Sequence, residues 1–208
     1  MKRLIYLLLL FSLPGQSQEL NVKGTRSGLL SFGARSTFSL FNDGNWLNAG
    51  TGAGGQFRIQ AADRVNTEWF LDYITGNVGN FAHRQDLHIG WSVMLYPGKK
   101  PSEPGLFQPY VLAGHCFDYT NIKENKNTTN YVERWSSAVQ GGLGTHVNLS
   151  PRMDLSGTVQ YMIHLGNDIH AHKEGDLVEI HKESGVNLEG HILLNFSVNY
   201  KVGDLWKK

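Results

Sequence analysis

The sequence predicts an all-β protein: an eight-stranded antiparallel up-and-down transmembrane β-barrel. Three observations predict it. The chain opens on a basic, leucine-rich stretch from Met1-Lys2-Arg3-Leu4 through Leu13, and no second apolar run of that kind follows. About eight later stretches alternate with period two, apolar side chains on one face and polar or charged ones on the other. The composition combines 24 glycines and 11% aromatic residues with a mean hydropathy of −0.30. That value is too polar for a helical membrane protein, yet it fits a barrel whose strands face lipid and a polar interior by turns.

The opening stretch reads as a secretory signal peptide: a charged start, a short apolar run, then small residues. Gly15 and Ser17 fit the small-x-small cleavage rule, so residues 1–17 are expected to be removed and the exported chain to begin at Gln18. The residue after the cut is not a cysteine, so no lipid anchor is expected there. Residues 18–24 read as a short N-terminal segment, 25–200 as the barrel and 201–208 as a periplasmic tail. The formal net charge of +1, with 18% charged residues, gives no basic footprint and excludes nucleic acid as a partner. A single cysteine, Cys116, allows no intramolecular disulfide. A small exported domain without disulfides needs another source of stability, and closure of a sheet within a bilayer supplies one.

The strands are justified in order. In the first, Leu30, Phe32, Ala34, Phe38 and Leu40 oppose Gly33, Arg35, Thr37 and Ser39. In the second, Ala53, Phe57, Ile59 and Ala61 oppose Gly54, Gln56, Arg58 and Gln60. In the third, Trp69, Leu71 and Tyr73 oppose Glu68 and Asp72. The fourth is the cleanest: Leu87, Ile89, Trp91, Val93 and Leu95 against Asp86, His88, Gly90 and Ser92. The fifth, from Tyr110 to Tyr119, has two possible phases, with His115 and Cys116 facing either way. The sixth sets Trp135, Val139, Leu143 and Val147 against Ala138, Gln140, Gly142, Gly144 and His146. The seventh sets Leu155, Val159, Tyr161 and Ile163 against Ser156, Thr158, Gln160 and His164. The last sets Val186, Leu188, Ile192, Leu194, Phe196 and Val198 against Asn187, Glu189, His191, Asn195 and Ser197. Strands of about ten residues suffice to cross a bilayer at a tilt.

The connections alternate in length. Residues 62–66, 149–153 and the proline-rich 97–109 form one set; residues 41–48, 75–84, 121–134 and 165–184 form the longer, more polar set. In barrels of this kind short turns face the periplasm and long loops face outside. Phe41, Trp46, Tyr73, Phe81, Tyr131 and Trp135 would form an outer aromatic girdle, and Tyr96, Phe107, Tyr110 and Tyr200 an inner one. A soluble β-sandwich or lipocalin-like barrel would point the apolar face inward. Against it, the charged residues share the other face, and no charge interrupts the apolar face of the clearly phased strands.

The signal peptide, these strands and the Leu149-Ser150-Pro151-Arg152 turn resemble the small outer-membrane β-barrel proteins of the OmpA/OmpX type. The resemblance spans nearly all of the exported chain. It implies eight strands closed over a polar, plugged interior in a bacterial outer membrane, and it carries no catalytic motif. Members usually end on an aromatic residue read by the assembly machinery; here Trp206 is followed by Lys207-Lys208, so that signal is expected to be displaced.

The candidate lumen network is Arg35, Arg58, Glu68, Asp72, Asp86, Glu189 and His191, joined by Gln56, Gln60, Gln140 and Gln160. An eight-stranded barrel is just wide enough for such side chains to fill it, and enclosed charges must be paired or hydrated. The inward glycines Gly52, Gly54, Gly142 and Gly144 would make room for long arginines. The run from Gly50 to Gly55 superficially matches a phosphate-binding loop, but strand rather than helix follows it. Among nine histidines, His164, His170, His172 and His181 gather near the last long loop. If residues 173–176 form a tight turn, His170 pairs with Glu179 and Asp168 with His181, a candidate metal set of imidazole and carboxylate. A hydrated loop without metal is the alternative. For catalysis a nucleophile needs a base in reach; Ser136 and Ser137 have no histidine partner nearby in sequence.

The expected function is non-enzymatic: a structural or interaction barrel without cofactor, in contact with outer-membrane lipid. Its expected partner is a protein in the outer membrane or periplasm, with the chain as an accessory subunit of a larger complex. The alternatives are a small channel or ligand-binding barrel, and a lipid-modifying enzyme at the barrel rim.

Overall fold

A computed structural model describes residues 27–41, 49–98, 107–167, 169–175, 177–182 and 190–206. Eight strands close the barrel: β1 (Leu29–Phe41), β2 (Ala49–Ala62), β3 (Val65–Val78), β4 (Ala82–Leu95), β5 (Phe107–Glu124), β6 (Tyr131–Asn148), β7 (Met153–Leu165) and β10 (Gly190–Asp204). They follow one another around the wall in chain order, and β1 pairs antiparallel with β10 to seal it. No barrel strand is left with a free edge, which a sheet in hydrocarbon requires, because lipid cannot hydrogen-bond open backbone groups. Two further strands, β8 (Ile169–Glu174) and β9 (Leu177–Lys182), form a separate hairpin between β7 and β10.

The period-two pattern decides the wall. Arg35, Thr37 and Ser39 are buried inside, while Phe32 and Phe38 stand out from the barrel, Phe38 at 45% exposure. The same alternation places Glu68 and Asp72 inside and Trp69 and Leu71 outside, and Asn195 and Ser197 inside with Phe196 outside at 58%. A soluble fold would leave this belt of Phe, Leu, Ile and Trp against water, far beyond the apolar patch a dissolved monomer carries. A bilayer removes that cost. The interior is the reverse of a soluble core, with arginine, aspartate, glutamate, histidine and amide side chains packed against each other.

The strand ends differ from the sequence expectation. Within 75–84 and 121–134 the strands continue and only 79–81 and 125–130 turn: β3 and β4 pair from Val65↔Leu95 to Val78↔Ala82, and β5 and β6 from Phe107↔Val147 to Lys123↔Tyr131. At 14 and 18 residues, these strands exceed the 9–11 that a bilayer needs, so both hairpins project past it at one end, here termed the outer end. There Val78, Ala82 and Ile122 pack against Ile169, Ala171 and Ile180 of the β8–β9 hairpin, with Phe81, Val132 and Val178 beside them. The hairpin thus lies over the outer mouth as an apolar-faced lid.

Two girdle assignments are corrected. Tyr96 and Tyr110 point into the lumen, only 3% and 2% exposed, and pack with Met94 and Leu112. Tyr110 shares the inward parity of Leu112, Cys116 and Asp118, which also settles the phase of β5: Cys116 faces in and His115 faces out. Tyr73, Phe107, Tyr131, Trp135 and Tyr200 do face outward. Trp46 and the side chain of Phe41 lie outside the described residues. The inward glycines serve other neighbours than arginine. A Cβ on Gly54 would meet Asp72 Oδ1 and the Leu71 carbonyl at 2.1 Å, and one on Gly144 would meet the Tyr110 ring at 2.4 Å.

Candidate functional site

Six of the seven residues expected to form one lumen network are described, and they separate into two layers. In the lower layer, on β1, β2, β3 and β7, positive and negative groups alternate. Arg35 Nε lies 3.0 Å from Asp72 Oδ1, and Arg35 Nη1 lies 3.2 Å from Glu68 Oε1. Arg58 Nε donates to Glu68 Oε2 at 2.6 Å, and Arg58 Nη1 reaches Asp154 Oδ1 at 3.3 Å. Glu68 is therefore the bridge between two guanidinium groups. The Phe70 ring sits 4.5 Å from the Arg35 guanidinium carbon. Around Asp154 the amide of Asn199 donates at 3.0 Å and the hydroxyl of Ser156 at 3.2 Å. Enclosed charges of this kind are tolerated when paired and hydrogen-bonded. Arg58, Glu68 and Asp154 are both, while Asp72 is ion-paired to Arg35 but its buried oxygens have no hydrogen-bond partner among the described residues.

The upper layer holds Asp86 and His191. Arg84 Nε donates to both oxygens of Asp86 at 3.1 and 3.0 Å. The Thr120 hydroxyl lies 2.8 Å from Asp86 and 3.1 Å from Asp118. Asp118, fully buried, also lies 3.3 Å from His88 Nε2 and 3.2 Å from His164 Nδ1, with Arg134 Nη2 at 3.8 Å. His191 sits between the rings of His88 and His164, at 5.5 and 4.9 Å between centroids, and 3.3 Å from Ser39 Oγ. Glu189 lies outside the described residues. Between the layers, Gln160 donates to Gln140 at 3.0 Å and Gln140 to Ser92 at 2.8 Å. Phe70, Ile74, Cys116, Ala138, Met162 and Leu193 also cluster inside the barrel.

Sequence reasoning missed Arg84, Arg134, Asp118 and Asp154 for local reasons. Arg84 and Arg134 fell within stretches read as loops, Asp118 lies on the strand of open phase, and Asp154 is the second residue of β7. The parity of the neighbouring strands, extended two residues further, would have found Arg84, Arg134 and Asp154; Asp118 needed the phase of β5.

Toward the lower end the packing loosens. A cavity of about 250 Å³ opens beneath the lower layer, lined by Arg58, Gln60, Tyr96, His146, Asp154 and Lys201, among others. Tyr96 Oη and His146 Nε2 hydrogen-bond across its wall at 2.8 Å.

Both candidate serines acquire histidine neighbours in space. Ser136 Oγ lies 3.3 Å from His164 Nδ1, inside the barrel. That nitrogen also faces Asp118, whereas base catalysis needs the serine and the orienting carboxylate on opposite ring nitrogens. Ser137 Oγ lies 2.6 Å from His115 Nε2 on the lipid-facing wall, and among the described residues His115 has no carboxylate partner. Neither pair has the arrangement of a working nucleophile.

The metal set expected on the last loop is altered in register. His170 pairs with His181 and His172 with Glu179, not His170 with Glu179. The turn is centred one residue later than expected, because Gly175 takes φ +59°, a conformation glycine adopts without strain, and so occupies the first central turn position. Asp168 lies outside the described residues. His170, Glu179 and His181 do share one face, and His172 joins them. Among the described residues the group whose metal-ligating atoms lie within 4.8 Å of one another is Asp86, His88 and Asp118, where Arg84 and Arg134 already supply cations; the ligating atoms of the hairpin set do not converge that closely.

No family model and no curated protein matches the chain. Solved structures do. Neisserial surface protein A is similar at 12% identity and TM-score 0.53, over 86% of this chain and all of that one. OprG of Pseudomonas aeruginosa is similar at 17% identity and TM-score 0.51, over 86% of this chain and 98% of that one. The N-terminal β-barrel domain of Pseudomonas aeruginosa OprF is similar at 13% identity and TM-score 0.50, over 86% and 100%. The shared feature is the fold. With the outward apolar belt and the enclosed charges, the chain is a small eight-stranded barrel with the fold of these outer-membrane proteins.

Proposed function

We propose that this barrel is a closed, non-enzymatic scaffold that acts through protein contacts in the outer membrane or periplasm, as an accessory subunit of a larger assembly. The observation that carries the reading is the double obstruction of the lumen: an ion-paired ladder built on Glu68 and the hairpin lid over the outer mouth. On this reading the ladder and the lid deny solutes a path, and transport would require the ladder to break. Neither Ser136 nor Ser137 has a base oriented by a carboxylate on its far nitrogen among the described residues, which favours recognition over catalysis. In planar bilayers the purified protein is expected to give no steady single-channel current. A stable current that changes with Arg58→Ala would overturn the closed reading. A pull-down from detergent-solubilised membranes is expected to bring a defined set of outer-membrane or periplasmic proteins in constant ratio; recovery of the barrel alone would count against the accessory role.

A second reading is favoured by the lower cavity, whose lining of Arg58, Lys201, His146 and amide groups suits a small polar ligand taken from the periplasmic side. Such a ligand would slow hydrogen exchange around Tyr96 and His146 without opening the pore.

A further inference from the structure

The β8–β9 hairpin has two unlike faces. Ile169, Ala171, Val178 and Ile180 turn toward the apolar cluster over the barrel mouth. The opposite face carries His170, His172, Glu179 and His181. The three imidazole rings lie mutually close: centroids are 6.0 Å apart for His170 and His172, 6.4 Å for His170 and His181, and 5.8 Å for His172 and His181.

We propose that His170, His172 and His181 form a binding site for a zinc-class divalent cation on the outer surface of this lid, with the Glu179 carboxylate beside them. Three observations support it. Two histidines two apart on one strand and a third directly across the ladder are the spacing that sends three side chains to one point on one face. Zinc takes imidazole nitrogens at about 2.0–2.1 Å in a tetrahedron, which requires the three rings, now 5.8 to 6.4 Å apart between centroids, to turn their nitrogens toward one point. His181 Nδ1 is buried with no hydrogen-bond partner among the described residues, and its nearest carboxylate oxygen, Glu179 Oε1, is 4.0 Å away. An unsatisfied imidazole nitrogen beside an acid, on a ring about 6 Å from two other imidazoles, is open to a cation.

The neighbouring charges agree. By strand alternation Lys173 and Lys182 belong to the other face, while Glu174 continues the histidine row. The lumen group of Asp86, His88 and Asp118 is the weaker choice, because Arg84 at 3.0 Å from Asp86 and Arg134 at 3.8 Å from Asp118 already balance its charge and would repel a dication. The apolar face of the hairpin is anchored to β3, β4 and β5, so the backbone bearing the ligands is held before the metal arrives. Preorganisation of that kind raises affinity by lowering the ordering cost.

The test uses the full-length exported protein without a polyhistidine tag, refolded in detergent and stripped with chelator. Titration with zinc is expected to show one site. His170→Ala, His172→Ala and His181→Ala are each expected to weaken binding at least tenfold, while His83→Ala leaves it unchanged. Cobalt(II) in place of zinc is expected to give the absorption of a tetrahedral, nitrogen-rich site. Because His172 is exposed, its substitution should leave the β-sheet circular dichroism of the barrel intact, so lost binding cannot be lost folding. Absence of stoichiometric zinc binding in the parent, or binding that survives His172→Ala and disappears in His88→Asn, would overturn the proposal.

Discussion

Glu68→Gln is expected to destabilise the folded barrel by about 3–5 kcal/mol, the usual cost of removing one partner from a buried ion pair. Glu68 holds two cations at once, Arg35 at 3.2 Å and Arg58 at 2.6 Å, and is itself almost fully buried. The amide keeps the volume of the carboxylate but withdraws its charge, leaving each arginine with a single acid, Asp72 or Asp154. Both guanidinium groups are buried, and only Arg58 borders the lower cavity. The paired replacement Arg58→Met with Glu68→Leu removes one charge of each sign and is expected to cost clearly less than the single change, because apolar side chains can substitute for a buried pair. Equilibrium unfolding in urea, from lipid or detergent, reads both. A loss below about 1 kcal/mol for Glu68→Gln would place the ladder in the range of solvent-exposed pairs and mean that water enters the lumen freely.

Ile89→Arg is the second large effect, expected at about 2–4 kcal/mol. Ile89 points outward from β4 between Leu87 and Trp91, opposite Leu71 and Phe117. An arginine there meets hydrocarbon, with only a partial escape by reaching toward the headgroups. The same substitution at Tyr131, the first residue of β6 at the outer end, falls near the interface, where the cost drops to about 0–1 kcal/mol. The contrast between the two sites is the useful quantity, since both are outward positions and differ only in depth. Equal, small losses at both would show that Ile89 faces water.

Much of this architecture was legible in the sequence, because a barrel wall has one rule repeated eight times. In β4 the alternation of Leu87, Ile89, Trp91 and Val93 with Asp86, His88, Gly90 and Ser92 is unbroken, and the structure follows it. The rule weakened where a strand carries apolar residues on both faces. Tyr110, Leu112 and Cys116 point inward in β5 although each is apolar enough for lipid, so parity alone could not phase that strand. The outer ends were misread for a related reason. Arg84 and Arg134 look like loop residues when the strand is assumed to stop at the membrane, yet β3 to β6 continue beyond it and carry both arginines inward. Tyr96 and Tyr110 were assigned to a girdle by position along the chain, but the lower lumen needed large rings with a polar edge, and their hydroxyls bond to His146 and Thr158. The hairpin register depended on a single torsion: glycine at position 175 takes the left-handed turn position, and every pairing after it moves with it. The candidate site was legible as a list of residue types, not as contacts. Which arginine meets which carboxylate depends on the stagger between strands, a property of closure that no single strand contains.

Site-directed spin labelling of single cysteines in lipid bilayers, on a background with Cys116 replaced by alanine, addresses the inside-out arrangement most directly. Labels at Leu71, Ile89 and Leu194 should collide readily with dissolved oxygen and scarcely at all with a water-soluble nickel chelate. Free access of the chelate to those three positions, or recovery of the protein as a monomer in buffer without detergent, would contradict it.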